Sequence, residues 1–262
     1  MGIIFASLLL GMFAGVLAGL FGIGGGLVIV PVLVFLFTAH GIPTDLVMVM
    51  AIATSLATII LTATSSTLAH HLLGSVLWDK VFRLVPGVIL GAIVGAVVAG
   101  HINAAFLRAI FTIFLLYAGI QMALDIKPKA GSANYSKKID FSIGSAIGLI
   151  SSLLGIGGGT LTVPYLAHCQ YPMRNAVAIA SACGLPIAVA GTISYMVLGM
   201  NAPNLPAGSF GYVYLPSFFG VSLGSVMTAP VGAKLAHMLP AQQLKRYFSL
   251  LLFVLAIKLM WH

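Results

Sequence analysis

The fold is decided by a stretch of twelve residues that occurs twice. It reads LFGIGGGLVIVP at residues 20–31 and LLGIGGGTLTVP at residues 153–164, 133 residues later, with eight of the twelve positions identical. Each copy ends one apolar segment and opens the next, and glycine admits backbone conformations that are closed to other residues. The repetition predicts a duplicated membrane protein with one irregular element in each half.

The composition excludes a soluble protein. Of the 262 residues, 60% are hydrophobic and only 6% are charged, and the mean hydropathy is +1.14. A soluble domain carries about 25% charged residues, so this chain cannot cover a surface that faces water. The sequence also lacks the alternating segments of about ten residues that are typical of a transmembrane β-barrel. We therefore predict an all-α polytopic membrane protein whose surroundings are the lipid bilayer.

Ten apolar segments follow one another, and the second five track the first five. The glycine pair at 11 and 15 recurs at 144 and 148, and the pair at 91 and 95 recurs at 220 and 224. Glycines four residues apart let helices pack closely in lipid. We predict repeat 1 over residues 1–125, a basic cytoplasmic linker over 126–138 and repeat 2 over 139–262, which together make one transmembrane domain. The predicted segments are 3–20, 24–38, 45–73, 82–100, 104–124, 139–154, 157–168, 174–199, 210–229 and 241–261.

The basic residues predict the orientation. Ten of the twelve Lys and Arg residues fall in four clusters, whereas the loops 39–44 and 199–209 contain neither residue. Placing the clusters in the cytoplasm puts the N-terminus outside and makes the two halves antiparallel, as in the inverted repeats of secondary transporters. The net charge of +8 is then explained by the orientation of the chain in the membrane, and no nucleic-acid partner is predicted. The clusters are Lys80/Arg83, Lys127/Lys129/Lys137/Lys138, Arg174 and Lys234/Lys245/Arg246.

With this orientation, each Gly cluster lies at the deep turn of a hairpin. The second arms, of about 15 and about 12 residues, reach only about 22 and about 18 Å across a hydrocarbon core of about 30 Å. A helix begins at each turn, and a helix N-terminus carries free N–H donors and about half a positive charge. Two such termini that converge would hold a small anion. Tight packing of the hairpins is the alternative interpretation.

Hydroxyl side chains on the long segments opposite the hairpins extend this candidate site. Thr54, Thr58 and Thr62 share one helix face, and hydroxyl donors suit an oxyanion such as sulfite or a sulfonate. Hydrogen bonding between helices, or back to the same helix, is the alternative. The predicted substrate-binding residues are Gly22, Gly24, Gly25, Gly26, Gly155, Gly157, Gly158, Gly159, Thr54, Ser55, Thr58, Ser181 and Cys183.

Acidic side chains are scarce, which disfavours a cation transporter. There is no Glu, and the four Asp residues lie at or near segment ends, whereas a cation pathway or a carboxylate proton relay needs buried acids. His70, His71 and His168 are then the candidates for proton coupling, with an interfacial position as the alternative. Cys169 and Cys183 lack metal-ligand spacing and are interpreted as packing residues. Neither a metal nor a cofactor is predicted.

Three motifs together resemble the TauE/SafE family. They are the doubled Gly motif, Ala53-Thr54-Ser55 with its diverged counterpart Ala182-Cys183-Gly184, and the run LAHMLP at residues 235–240. Members of this family are sulfite exporters and permeases for organosulfonates. The resemblance covers essentially the whole chain and implies a bacterial inner-membrane exporter of small sulfur anions, with the proton gradient as a candidate driving force.

Three classes of function are therefore compared. The leading one is a secondary transporter of sulfite or an organosulfonate that works by alternating access. A passive anion channel on the same scaffold is the first alternative. An intramembrane hydrolase is the remote one, because the turn at residues 208–211 contains Ser209 but no identifiable base. The exact substrate, the coupling ion and the oligomeric state, including a homodimer, stay open.

Overall fold

The structure is a computed structural model that describes residues 2–21, 25–124, 135–238 and 241–261. These residues form ten helices and one short hairpin of two antiparallel strands, so the predicted all-α membrane fold is confirmed. The strands are β1 (Ser209–Phe210) and β2 (Val213–Tyr214). The helices are α1 (Gly2–Phe21), α2 (Gly26–Ala39), α3 (Thr44–Leu72), α4 (Trp78–His101), α5 (Ala104–Ala123), α6 (Lys137–Leu154), α7 (Gly159–His168), α8 (Met173–Gly199), α9 (Leu215–Met238) and α10 (Ala241–Met260).

The helices fall into long spans and short arms. Among the described residues, α3, α4, α5 and α8 are long and apolar enough to cross a membrane. The arms α2 and α7 have only 14 and 10 residues. At about 1.5 Å per residue they reach about 21 and about 15 Å, so neither crosses a core of about 30 Å. The two arms that follow the Gly clusters are therefore as short as the sequence predicts.

The helix boundaries follow from proline and glycine. Pro43 and Pro172 directly precede α3 and α8 with nearly equal φ angles of −51° and −53°, because proline fixes φ and lacks the N–H that a helix start leaves unpaired. One boundary differs from the prediction. The apolar segment begins at residue 210, but α9 begins at Leu215, since Gly208 and Gly211 take positive φ and turn the preceding chain into the strand hairpin.

Glycine pairs pack helices of opposite halves against each other. A Cβ on Gly91 or Gly95 of α4 would run into the backbone of Ser145 or Leu149 of α6, so only glycine permits this approach. Residue numbers rise together along the two helices, which therefore run parallel. The counterpart pair behaves in the same way, with residues 11 and 15 of α1 against residues 221 and 225 of α9.

Helices α3 and α8, which are counterparts in the two halves, run antiparallel instead. Leu56 lies against Gly191, and the Ser66 hydroxyl donates to the Ser181 hydroxyl at 3.1 Å, so residue numbers rise in one helix and fall in the other. Together with the two parallel pairs, these directions are the ones that an inverted repeat requires. The inversion and the division into repeats stay predictions.

One end of the helix bundle collects basic residues. The Arg174 guanidinium at the start of α8 donates to the Ser75 hydroxyl at 2.6 Å, which ties α8 to the loop after α3. Lys80 in the first turn of α4 lies 2.6 Å from Asp140 of α6, three residues after Lys137. Members of three predicted basic clusters thus meet at this end, whereas Lys127 and Lys129 lie outside the described residues.

Candidate functional site

The two Gly turns have the same backbone conformation at the residue that precedes each short arm. Gly25 has φ 73° and ψ −13°, and Gly158 has φ 74° and ψ −14°. Both lie in the left-handed region, which other residues adopt at a cost of about 1–2 kcal/mol. The sequence repeat is therefore also a repeat of local structure. Gly22 and Gly24 lie outside the described residues.

The two turns contact each other beside α3. A Cβ on Gly26 would lie 2.7 Å from the Gly155 carbonyl oxygen and 3.0 Å from the Ile156 Cα, so glycine is required there. Gly155 ends α6 with φ 69°, and its carbonyl accepts a hydrogen bond of 2.8 Å from the Ser55 hydroxyl. The structure thus brings three predicted site residues, Gly26, Gly155 and Ser55, into one contact.

Helix α8 covers the second Gly turn from another side, which explains the diverged Ala-Cys-Gly sequence. A Cβ on Gly184 would lie 2.7 Å from the Gly157 carbonyl oxygen. Gly184 occupies the position that corresponds to Ser55, and a serine there would clash instead of donating a hydrogen bond. Cys183 is fully buried and free, as expected for a packing residue, and Gly159 is the buried first residue of α7.

Most of the predicted hydroxyl side chains have partners away from the Gly turns. The Thr58 hydroxyl donates to the Ser55 carbonyl at 2.7 Å within its own helix, and Ser181 bonds to Ser66. The Thr54 hydroxyl accepts from the Tyr214 N–H at 3.0 Å. Local and interhelical bonding, the alternative drawn from the sequence, therefore describes Thr58 and Ser181, while Thr54 holds the strand hairpin.

Three hydroxyls that the sequence interpretation missed lie in the second hairpin. Ser151, Ser152 and Thr162 are at most 1% exposed, and in the described part of the chain none of the three hydroxyl oxygens has a hydrogen-bond partner. A Cβ on Gly158 would lie 3.4 Å from Ser151 Oγ and 3.6 Å from Thr162 Oγ1. The two hydroxyls therefore flank the Gly158 backbone at the start of α7.

This arrangement is costly unless something binds there. A buried polar group without a partner costs about 1–3 kcal/mol, and such groups in native proteins call for an explanation. The N-terminus of α7 adds unpaired N–H donors and a partial positive charge. Hydroxyl and N–H donors that converge on one point suit an oxyanion, which accepts hydrogen bonds at every oxygen.

The sequence contained a signal for these hydroxyls. Ser151-Ser152 is a polar doublet in an otherwise apolar run, and Thr162 falls within the second copy of the motif. The positions 133 residues earlier hold Ala18, Gly19 and Ile29. A position-by-position comparison of the two copies would have shown that only the second is polar.

The expectation that the acids are not buried is wrong for Asp140. Its side chain is 0% exposed, and Lys80, at 4%, lies 2.6 Å from its Oδ1. The Tyr165 hydroxyl donates to the same oxygen. The physical reason is the close packing of α4 on α6, which joins two residues 60 positions apart. The position of Asp140 near the end of a predicted apolar segment therefore did not mean that its side chain is exposed.

The serine of the hydrolase alternative lies in the strand hairpin. Ser209 pairs with Tyr214 across the two strands. Its hydroxyl oxygen has no hydrogen-bond partner among the described residues, so no side chain described here acts on it as a base. The geometry gives no support to a nucleophilic role.

In the described residues, a bundle of ten helices, four of them long and apolar enough to cross a membrane, packs two Gly turns against each other, as expected of a multi-pass membrane protein. The sequence profile described as Sulfite exporter TauE/SafE matches residues 7–259. The chain belongs to this family.

Three relatives are named as transporters. A probable membrane transporter protein of Haemophilus influenzae is 37% identical over 98% of this chain and 97% of its own length. One of Methanocaldococcus jannaschii is 28% identical, over 95% and 92%, and one of Bacillus subtilis is 31% identical, over 72% and 77%. Family and relatives agree that this chain is a membrane transporter.

Proposed function

We propose that this protein is a secondary transporter that exports small sulfur-containing anions, sulfite or organosulfonates such as sulfoacetate, across the bacterial inner membrane. The substrate class follows the family name and the donor chemistry of the site. The basic end of the bundle faces the cytoplasm in this proposal, and the N-terminus lies outside. The two halves are inverted repeats that alternate around the Gly turns.

The observation that carries the proposal is the set of unpaired buried hydroxyls beside Gly158. Ser151 and Thr162 present donors next to a helix N-terminus. A site of this kind binds an anion through hydrogen bonds and the helix terminus, without a metal. Sulfite and sulfonate groups present the several acceptor oxygens that such donors require.

Burial favours a transporter over the channel alternative. Ser151, Ser152 and Thr162 are at most 1% exposed, so the binding groups are closed off from solvent in this conformation. An open channel has a continuous path for its ion, whereas alternating access passes through states in which the binding groups are closed off from both sides. The single conformation described here fits the second mechanism.

Flux measurements in proteoliposomes test the proposal. The purified protein is reconstituted, and the fluxes of sulfite, sulfoacetate, sulfate and thiosulfate are measured across an imposed pH gradient, with protein-free liposomes as the control. We expect selective, saturable movement of sulfite or sulfoacetate. Absence of flux for all four anions contradicts the proposed function. Rates near diffusion, without accumulation against a gradient, would assign the chain to the channel class.

A further inference from the structure

A buried charged cluster lies apart from the Gly turns, at the open end of the second hairpin. Lys80 Nζ of α4 is 2.6 Å from Asp140 Oδ1 of α6, and the Tyr165 hydroxyl of α7 donates to the same carboxylate oxygen. The ammonium also lies 5.4 Å from the ring centroid of Tyr165 and 5.8 Å from that of Tyr171. The cluster therefore joins both arms of the second hairpin to α4.

The cluster and the Gly158 turn lie at opposite ends of this hairpin. Ser151 follows Asp140 by eleven residues on α6, which is about 16 Å along a helix. Tyr165 follows Gly158 by seven residues, which is about 10 Å along α7. The Lys80 ammonium therefore lies at the basic end of the bundle, one length of α7 from the Gly158 turn.

The Lys80–Asp140 pair is incompletely satisfied. Asp140 is 0% exposed, yet its second oxygen, Oδ2, has no hydrogen-bond partner in the described ranges. A buried ion pair is often no more stabilising than well-packed apolar residues. Ionisable groups inside membrane proteins instead mark ion and proton pathways. The feature to explain is a buried ammonium whose single positive charge balances only one negative charge at a time.

We propose that Lys80 and Asp140 form an exchange pair that couples one proton to each transported anion. The anion displaces Asp140 from the Lys80 ammonium, and Asp140 then takes up a proton from water on the side where the anion entered, so that an O–H bond forms on the carboxylate. When the anion leaves on the other side, Asp140 gives this proton to water on that side and pairs with the Lys80 ammonium again. Each cycle thus begins and ends with the Lys80 ammonium balanced by the Asp140 carboxylate, and a dianion bound to Lys80 beside protonated Asp140 leaves one net negative charge. This inference rests on the proposed function and adds its coupling residues.

The physical reason is the cost of an isolated buried charge. A carboxylate that has lost its cation in a low-dielectric interior is strongly destabilised, and protonation removes this cost. By thermodynamic linkage, a proton on Asp140 raises the affinity of Lys80 for the anion. A bound anion raises the affinity of Asp140 for a proton by the same factor. A dianion that leaves with one proton still carries net negative charge outward. A membrane potential that is negative inside favours this movement, so the coupling is compatible with export.

Other titratable groups surround the pair and define the rival explanations. On the hairpin side these are Tyr165, His168, Cys169 and Tyr171, together with Tyr135, whose hydroxyl lies 3.0 Å from His168 Nε2. On α6 the nearest other cations are the exposed residues 137 and 138, in the same first turn. Among these groups His168 is the rival proton carrier, because an imidazole nitrogen can take up and release a proton.

The test measures proton and anion movement together in proteoliposomes that contain a trapped pH dye. The probe is sulfoacetate. Its carboxylate titrates at about pH 4, so the charge of the probe stays constant between about pH 6 and about pH 8. Sulfite replaces it if the four-anion comparison shows that sulfoacetate is not carried. The variants are Asp140→Asn, Lys80→Met and His168→Gln, with Asp79→Asn as the matched control. Asp79 is an exposed acid one position before Lys80.

We expect the wild type and Asp79→Asn to move about one proton with each anion. Asp140→Asn should carry the anion without protons, at a rate that is flat between about pH 6 and about pH 8. Lys80→Met should lose at least about 90% of the flux. Wild-type flux without proton movement overturns the inference but leaves the transporter intact, and loss of proton movement in His168→Gln alone also overturns it. Absence of wild-type flux for all four anions contradicts the proposed function instead.

A gentler variant keeps the test decisive if Asp140→Asn does not fold. Tyr165→Phe retains the ion pair and removes one hydrogen bond to the charged carboxylate. Since that bond favours the ionised form, its loss should move the pH midpoint of anion flux upward. An unchanged midpoint in folded Tyr165→Phe protein contradicts the inference.

Discussion

The two hairpins have matching Gly turns but opposite chemistry. Gly25 and Gly158 agree in φ and ψ within about one degree. The second hairpin nevertheless buries Asp140, Ser151, Ser152 and Thr162, where the first, 133 positions earlier, has Ser7, Ala18, Gly19 and Ile29. Ser7 is neutral and bonds to Ser217 at 2.9 Å.

The difference teaches that two turns with the same backbone conformation can carry different side-chain chemistry, since these buried polar groups lie in the second hairpin. The positive φ at Gly25 and Gly158 favours glycine in both turns. Side chains around the turn are under no such constraint. We infer that the second hairpin supplies most of the anion-binding groups. The first hairpin supplies Gly26, which packs closely against Gly155.

The largest effect is expected from alanine at the second Gly turn. Gly158→Ala adds left-handed strain of about 1–2 kcal/mol, and its Cβ would lie 2.5 Å from Ile187 Cδ1 and 3.4 Å from Ser151 Oγ. Displacing Ile187 adds about 1–3 kcal/mol, and the methyl intrudes on the hydroxyls. We expect sulfite flux per reconstituted protein to fall by about 100-fold or more.

Two matched glycines control this experiment. Gly25→Ala carries the same backbone strain, since the φ angles are 73° and 74°, and should lose about tenfold or less. Gly74 also has positive φ, but nothing lies within 4 Å of an added Cβ, so Gly74→Ala should retain transport. An equal loss of sulfite flux in Gly25→Ala and Gly158→Ala would contradict the proposed difference between the hairpins.

A smaller effect is expected at the contact between α3 and the second turn. Ser55→Ala removes the 2.8 Å bond to the Gly155 carbonyl and leaves a buried acceptor unpaired, which costs about 1–3 kcal/mol. The thermal midpoint in detergent should fall by several degrees, with a partial loss of flux. Thr58→Val, whose lost bond lies within its own helix, is the control and should change both quantities less. The reverse order would show that Ser55 does not hold the turn.

The smallest effect is expected in the first hairpin. Ser7→Ala removes a neutral bond between two buried hydroxyls, worth about 0.5–1.5 kcal/mol. The pH dependence of flux should stay that of the wild type, since no charge is altered. A change in pH dependence that matches Asp140→Asn would mean that both hairpins take part in coupling.

The sequence was sufficient for the order of elements because those features are local. Apolar runs, the prolines before α3 and α8, and the Gly motifs each specify structure within a few residues. The start of α9 was misplaced because hydropathy does not distinguish an apolar strand hairpin from a helix. Its positive-φ glycines, Gly208 and Gly211, carried that information.

The site was harder to predict because its contacts are long-range. Lys80 and Asp140 meet only after α4 has packed on α6, and the contact of Gly26 with Gly155 joins the two halves. Thr58 and Ser181 have polar side chains at suitable positions, yet their hydroxyls bond to neighbouring helix atoms. Side-chain type predicted which groups were available, whereas packing decided which remained unpaired.

The most direct test of the account is the double variant Ser151→Ala/Thr162→Val, compared with Ser142→Ala. Ser142 is an exposed serine on α6 that bonds to the Lys138 carbonyl of its own helix. Removing two unpaired buried hydroxyls should leave the thermal midpoint unchanged or higher, since each costs about 1–3 kcal/mol. Sulfite flux should nevertheless fall by about tenfold or more, while Ser142→Ala retains it. Undiminished sulfite flux in the folded double variant would contradict the claim that these hydroxyls bind the anion.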